Sequence, residues 1–143
     1  MRRETIHASA VAAEGRALLI LGPSGSGKSA LALELIALGA GLVADDLVAL
    51  EEGPEGCVAG PVRAGATQPI EARGLGILRL PAVEPAPVRL VIDLGRPEPA
   101  RLPERRLWRG APLLFRPARL SPAALLLALK SAGPEDPEAP VGS

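Results

Sequence analysis

Apolar positions along this chain fall in short runs separated by turn residues, with only two stretches long enough for helices. Thr5 to Ala12 alternates loosely between polar and apolar residues, which predicts a strand. Glu14-Gly15 is a turn signal. Arg16 to Leu21 is a nearly continuous apolar run, the pattern of a strand buried on both faces. Ser29 to Leu38 differs: it is built of strong helix formers with almost no polar face, which predicts a helix buried all round. Gly39 is suited to stop it.

Downstream the pattern turns strand-rich. Leu42 to Ala44 is a short strand that ends at Asp45-Asp46, and Leu47 to Leu50 continues extended. Gly53-Pro54-Glu55-Gly56 marks a turn, and Cys57 to Val62 a return strand. Ile70 to Ala72 and Leu75 to Leu80 flank Arg73-Gly74. Pro81 to Pro87 reads as loop because it holds three prolines. Arg89 to Leu94 is a second buried-type strand, Pro97 to Pro103 a second loop, and Pro112 to Phe115 a further strand. Ser121-Pro122 opens a last helix through Ala132, with Ser at the N-cap and Pro at the first helical position. Gly133 to Ser143 is acidic and Pro-rich, the composition of a disordered tail. No internal repeat is visible. The expectation is one α/β domain over residues 1–132: a mixed, strand-rich sheet around a central helix, closed by a C-terminal helix.

Composition narrows the class without naming it. The 143 residues are enough for one core. Apolar residues make up 48%, yet the aromatics are only Trp108 and Phe115. Lys plus Arg and Asp plus Glu balance at 16 each, which argues against a nucleic-acid or membrane-surface binder. Cys57 is alone, so no internal disulfide can form, in keeping with a reducing compartment. No apolar run approaches the roughly 18 residues that cross a bilayer. Arg2-Arg3 followed by Ile6 to Ala13 imitates a signal peptide, but His7 and Ser9 interrupt the apolar stretch. The expected compartment is the cytoplasm.

The chemistry starts at Gly22-Pro23-Ser24-Gly25-Ser26-Gly27-Lys28-Ser29, which matches the Walker A pattern in full, between a strand and a helix. Glycines let backbone N–H groups curl around phosphate oxygens, and the helix N-terminus adds partial positive charge. Lys28 supplies a mobile cation to the β and γ phosphates, and Ser29 can place its hydroxyl on Mg²⁺. A phosphate loop of this kind needs a carboxylate for the cation, and a kinase needs a base as well. Asp45-Asp46 and Asp93 both sit where strands end or run. By pattern Asp93 fits a Walker B residue, whereas two adjacent carboxylates suggest a cation or, on the plainer reading, a solvated turn. Residue types alone leave that choice open. They also leave open whether His7, the sole histidine, is structural, and whether Arg116 and Arg119 clamp phosphates or form a solvated face.

Taken together these segments resemble the C-terminal catalytic domain of HPr kinase/phosphorylase. The resemblance runs from about Thr5 to Ala132. It rests on Ile6-His7-Ala8 a hairpin ahead of the phosphate loop, on Ala30-Leu31-Ala32-Leu33-Glu34-Leu35 after it, and on Leu42-Val43-Ala44-Asp45-Asp46. Its most specific part is Ile70-Glu71-Ala72-Arg73-Gly74-Leu75-Gly76-Ile77; a weaker part is Phe115-Arg116-Pro117-Ala118-Arg119. The resemblance implies an ATP- and Mg²⁺-dependent kinase for a serine of the phosphocarrier HPr, able in reverse to release the phosphate by phosphorolysis, with pyrophosphate as product. It implies Asp45 as the residue that takes the serine proton, with His7, Lys28, Arg116 and Arg119 beside it. Gly22 to Ser29 would hold the nucleotide, and Ser29, Glu71 and Asp46 the metal. Asp93 becomes a core strand position.

It further implies a homo-oligomer, typically a hexamer. Only about four residues precede the matching region, so the chain resembles a short form without the additional N-terminal domain. Two departures stand out: Pro81 to Pro87 replaces a glycine-containing loop that couples subunits, and Leu-Ser-Pro-Ala follows Arg119, ahead of the helix associated with acceptor docking. Two other readings use the same loop: a small-metabolite kinase, with Arg96 to Arg109 as lid, and a non-catalytic nucleotide-sensing module.

Overall fold

Each strand near the phosphate loop is apolar on both sides because both sides are covered. The computed structural model describes residues 3–54, 56–97 and 106–131. Strands β1 (Arg3–His7), β2 (Ser9–Ala13) and β3 (Arg16–Leu21) lead to helix α1 (Lys28–Ala37). Then come β4 (Gly41–Ala44), β5 (Leu47–Gly53), β6 (Gly56–Pro61), β7 (Thr67–Ala72), β8 (Gly76–Pro81) and β9 (Ala86–Pro97). β10 (Leu107–Trp108), β11 (Ala111–Arg116) and α2 (Pro122–Lys130) complete the described elements. Among these residues, nine strands form one mixed sheet in the order β1-β5-β6-β9-β3-β2-β4, with β11 alongside β9 and β10 alongside β11. β7 and β8 form a separate hairpin.

Alternation along β3, and along β9 from Leu90 onward after a register shift that follows Val88, divides the core in two. Leu18, Ile20, Leu90 and Ile92 face one way and pack with Leu31 and Leu35 of α1 and with Leu125, Leu126 and Leu129 of α2. Ala17, Leu19, Val88 and Val91 face the other way, toward Val48 and Leu50 of β5 and Cys57 and Ala59 of β6. The mixed, strand-rich α/β architecture is as the sequence predicts. The start of the last helix also agrees: Ser121 Oγ accepts from the Ala124 N–H at 3.1 Å, and Pro122 is the first helical residue. The helix ends at Lys130, with Ser131 as its cap.

Four expectations need correction. Thr5 to Ala12 is two strands, broken at Ala8. β1 pairs with β5 and β2 with β3 and β4, so the chain changes partners there. Helix α1 is not buried all round: only Leu31, Ala32 and Leu35 are buried, and Leu38 is 51% exposed, because the sheet covers one side of the helix. The proline-rich loop is shorter than Pro81 to Pro87. Pro81 closes β8 opposite Thr67, and Pro87 lies in β9 opposite Val58, at ladder ends where a missing N–H is tolerated. Leu75 belongs to the turn of the β7–β8 hairpin, its N–H donating to the Ala72 carbonyl at 2.9 Å, so β8 starts at Gly76. The expected loop to Pro103 and the tail Gly133 to Ser143 lie outside the described residues, apart from Pro97 at the end of β9. No helix among the described residues is long and apolar enough to cross a membrane.

Candidate functional site

β3 and β9 run parallel, with Leu21 opposite Asp93, and the chain leaves β3 directly into Gly22 to Ser29. The loop therefore lies at the carboxyl ends of parallel strands, where open α/β sheets place ligands. Its glycines are set by backbone geometry. Gly25 and Gly27 have φ of +81° and +99°. A Cβ on Gly22, whose φ is +147°, would come within 2.5 Å of Ser26 Oγ and force it to shift. Gly27 is also the N-cap of α1 and offers no side-chain cap, so the first N–H groups of the helix stay available to an anion. Lys28 folds over the loop, its Nζ donating to the carbonyls of Gly22 at 2.7 Å and Pro23 at 3.1 Å. Ser26 Oγ is buried with no partner among the described residues.

Asp45 lies next to this loop at the end of β4. Ser29 Oγ donates to its two oxygens at 2.8 and 2.9 Å, and Ser9 Oγ donates to Oδ1 at 2.6 Å. The Glu71 N–H reaches Oδ2 at 3.4 Å. Asp46 takes the opposite part. Its φ is +67°, and the Leu47 N–H donates back to the Asp45 carbonyl at 2.8 Å, closing a three-residue turn of the strained γ hand centred on Asp46. That turn leaves Asp46 exposed on a cleft of about 650 Å³. Ser24 to Ser29 line the cleft on one side; Glu71, Arg73 and Leu75 of the hairpin and Arg116 line it as well.

Most of the sequence-derived residues thus come together. Gly25 to Ser29, Asp46, Glu71 and Arg116 share the cleft, and Asp45 supports it through Ser29. His7 is exposed at the end of β1, opposite Leu47, while the next residue, Ala8, donates its N–H to the Asp46 carbonyl at 3.2 Å. Arg119 is exposed between β11 and α2 and is not among the residues that line the cleft. Asp93 is no core position. Its Oδ1 accepts from the Gly95 N–H at 2.8 Å and its Oδ2 lies 3.7 Å from Arg96, so its carboxylate is spent on the last residues of β9 itself. Sequence reasoning missed Ser9. It is wholly buried, and a polar residue inside an apolar strand must find a partner, which is the signal that could have found it.

The donor set fits Mg²⁺. Ser29, Asp45, Asp46 and Glu71 offer only oxygen, as a hard cation requires. Among the described residues no three His, Cys, Asp or Glu side chains are grouped to hold an ion unaided, which suits a cation shared with nucleotide phosphates.

A strand-rich α/β fold with a glycine-rich loop at the end of a parallel strand pair, and two carboxylates beside it at the end of β4, defines the class. The sequence matches the profile of the HPr Serine kinase C-terminal domain over residues 1–84, more than half of the chain, and the chain belongs to that family. It is 39% identical over 115 residues to the HPr kinase/phosphorylase of Aromatoleum aromaticum, covering 70% of this chain and 37% of that protein. It is 46% identical over 74 residues to the HPr kinase/phosphorylase of Bordetella pertussis, covering 52% of this chain and 24% of that protein. The chain thus spans well under half the length of these relatives. The fold is similar to that of the Hpr(Ser) kinase/phosphatase from Coxiella burnetii, with a TM-score of 0.67 over 90% of this chain and 89% of that one. At 23% identity, that likeness speaks for the fold alone.

Proposed function

We propose that this chain is a P-loop kinase domain that transfers phosphate from ATP to a serine of an HPr-like phosphocarrier protein in the cytoplasm. The observation that carries the reading is the Ser29–Asp45 pair at the mouth of Gly22 to Ser29, with Asp46 facing the same cleft. In this reading the loop amides and the N-terminus of α1 hold the phosphates, and Lys28 exchanges its two loop carbonyls for phosphate oxygens. When bound, Mg²⁺ supplies charge neutralisation on the phosphates, with Ser29, Asp45 and Glu71 as the residues that would hold it.

In this reading the two aspartates divide the work in the reverse of the order that the resemblance implies. Asp45 is engaged by two hydroxyls, which suits the metal side. Asp46 is free to meet an acceptor, which suits the base. The serine oxygen attacks the γ phosphorus, the bond to the bridging oxygen breaks, ADP leaves, and Asp46 takes the serine proton. Arg73 and Arg116 flank the cleft and offset the charge that develops on the phosphoryl oxygens. His7 would act on Asp46 only indirectly, through its neighbour Ala8, whose N–H bonds the Asp46 carbonyl; Arg119 would join only by moving. Run backwards, a phosphate oxygen attacks the phosphoserine phosphorus, Asp46 returns the proton, and the products are serine and pyrophosphate.

The test is label transfer from γ-labelled ATP to HPr with Mg²⁺ present. Transfer that is lost on Asp46→Ala supports the reading; wild-type protein that never labels HPr ends it. A homo-oligomer, hexameric by resemblance, is part of the same proposal. Exposed Leu75, Ile77, Leu107 and Leu127 support it, and sizing should give a multiple of the 14.6 kDa chain.

A further inference from the structure

Ser9 lies in none of the segments that mark the family, yet it touches the centre of the site. It sits in β2, two residues after His7, and no part of it reaches solvent. Its single hydroxyl proton goes to Asp45 Oδ1 at 2.6 Å, the length of a strong bond to an ionised acceptor. Ser29 donates almost equally to both oxygens of Asp45, at 2.8 and 2.9 Å, and so lies near the bisector of the carboxylate. That contact alone does not fix the carboxylate plane. The Ser9 bond to one oxygen does, helped by the longer contact from the Glu71 N–H at 3.4 Å to the other.

We propose that Ser9 is a positioning residue for the cation site: it holds the Asp45 carboxylate in the one orientation that presents the Ser29 hydroxyl to a divalent cation on the nucleotide. The inference rests on the cation–nucleotide part of the reading above. It makes β2 part of the site. Three elements, β2, α1 and β7, meet on one carboxylate, and Ser9 is the contributor that is wholly buried, at the floor of the cleft. Removing the hydroxyl leaves Oδ1 with one donor fewer and the carboxylate free to rotate. The cost falls on cation-dependent binding, while the loop amides that hold phosphate are untouched.

Calorimetric titration with ADP, with Mg²⁺ and with EDTA, separates the two, and ADP allows no turnover. Ser9→Ala and the near-isosteric Ser9→Cys are expected to bind ADP in EDTA as the wild type does. The gain in ADP affinity on adding Mg²⁺ is expected to shrink about tenfold, the scale of a lost outer-shell partner. Ser9→Thr keeps a hydroxyl and is expected to retain the gain. In an Asp45→Asn background, Ser9→Ala should cost little more, because the two act as one unit. The proposal is overturned if both Ser9→Ala and Ser9→Cys keep the full Mg²⁺ gain, or if they lose affinity equally in EDTA. No acceptor enters this measurement. A protein that shows the Ser9 effect but never labels HPr would sink the kinase reading and leave this inference standing.

Discussion

Asp46 carries the backbone strain of the site. A non-glycine residue at φ +67° in a γ-turn of this hand costs on the order of 1–3 kcal/mol, and such strain gathers where function demands it. Asp and Asn are the residues that tolerate the left-handed region best, so Asp46→Asn should fold normally. If Asp46 is the base, that variant loses about 10²–10⁴-fold in transfer to HPr while Mg²⁺–ADP affinity stays near wild type. Asp45→Asn should do the opposite first, weakening Mg²⁺–ADP binding by calorimetry, because Ser9 and Ser29 then face an amide. Equal behaviour of the two variants in both assays would refute the division of roles. The phosphate loop was legible in the sequence because each glycine there fixes its own conformation: Gly22, Gly25 and Gly27 all have positive φ. The different surroundings of Asp45 and Asp46 were not. Two identical neighbours are told apart by one backbone angle and by hydroxyls that come from distant parts of the chain.

The same contrast between local and distant causes holds for whole elements. The start of α2 was legible because its cap is local: Ser121 Oγ accepts the Ala124 N–H, and Pro122 needs no donor there. Its other end was not legible. Arg16, more than a hundred residues earlier, donates to the carbonyls of Lys130 at 2.9 Å and Leu129 at 3.4 Å, meeting orphan groups with positive charge. Ser121→Ala should therefore cost about 1 kcal/mol, read as a lower urea midpoint with an unchanged slope. An unchanged midpoint would mean that packing of Leu125, Leu126 and Leu129 holds the helix without its cap. The break at Ala8 and the strand prolines Pro81 and Pro87 escaped the sequence for the matching reason. Each depends on which strand lies alongside, and nothing in the local residue pattern records that.

At the scale of the whole molecule, two apolar layers share β3 and β9, and Cys57 reports on the layer away from the helices. It is the chain's single cysteine, 4% exposed between Val48, Leu50 and Ala59. Burial pushes its thiol pKa above the usual 9.0; the nearby Glu52 charge adds to this, while Arg109 opposes it. A thiol whose folded pKa lies above its unfolded value favours the native state fully below about 9. That contribution fades as pH rises through the folded pKa, since the unfolded chain ionises first. Stability should therefore fall on the alkaline side, and Cys57→Ala, which removes the titration, should flatten that limb in urea melts run at successive pH values. In the native protein near pH 8, a thiol reagent should react only as fast as the β1-β5-β6 layer opens. Sub-denaturing urea should then speed the reaction in step with the loss of global stability. A native Cys57 that reacts at the rate of a free thiol would mean that this layer opens by itself, leaving the helix-covered layer, and the phosphate loop on its edge, as the sole cooperative core.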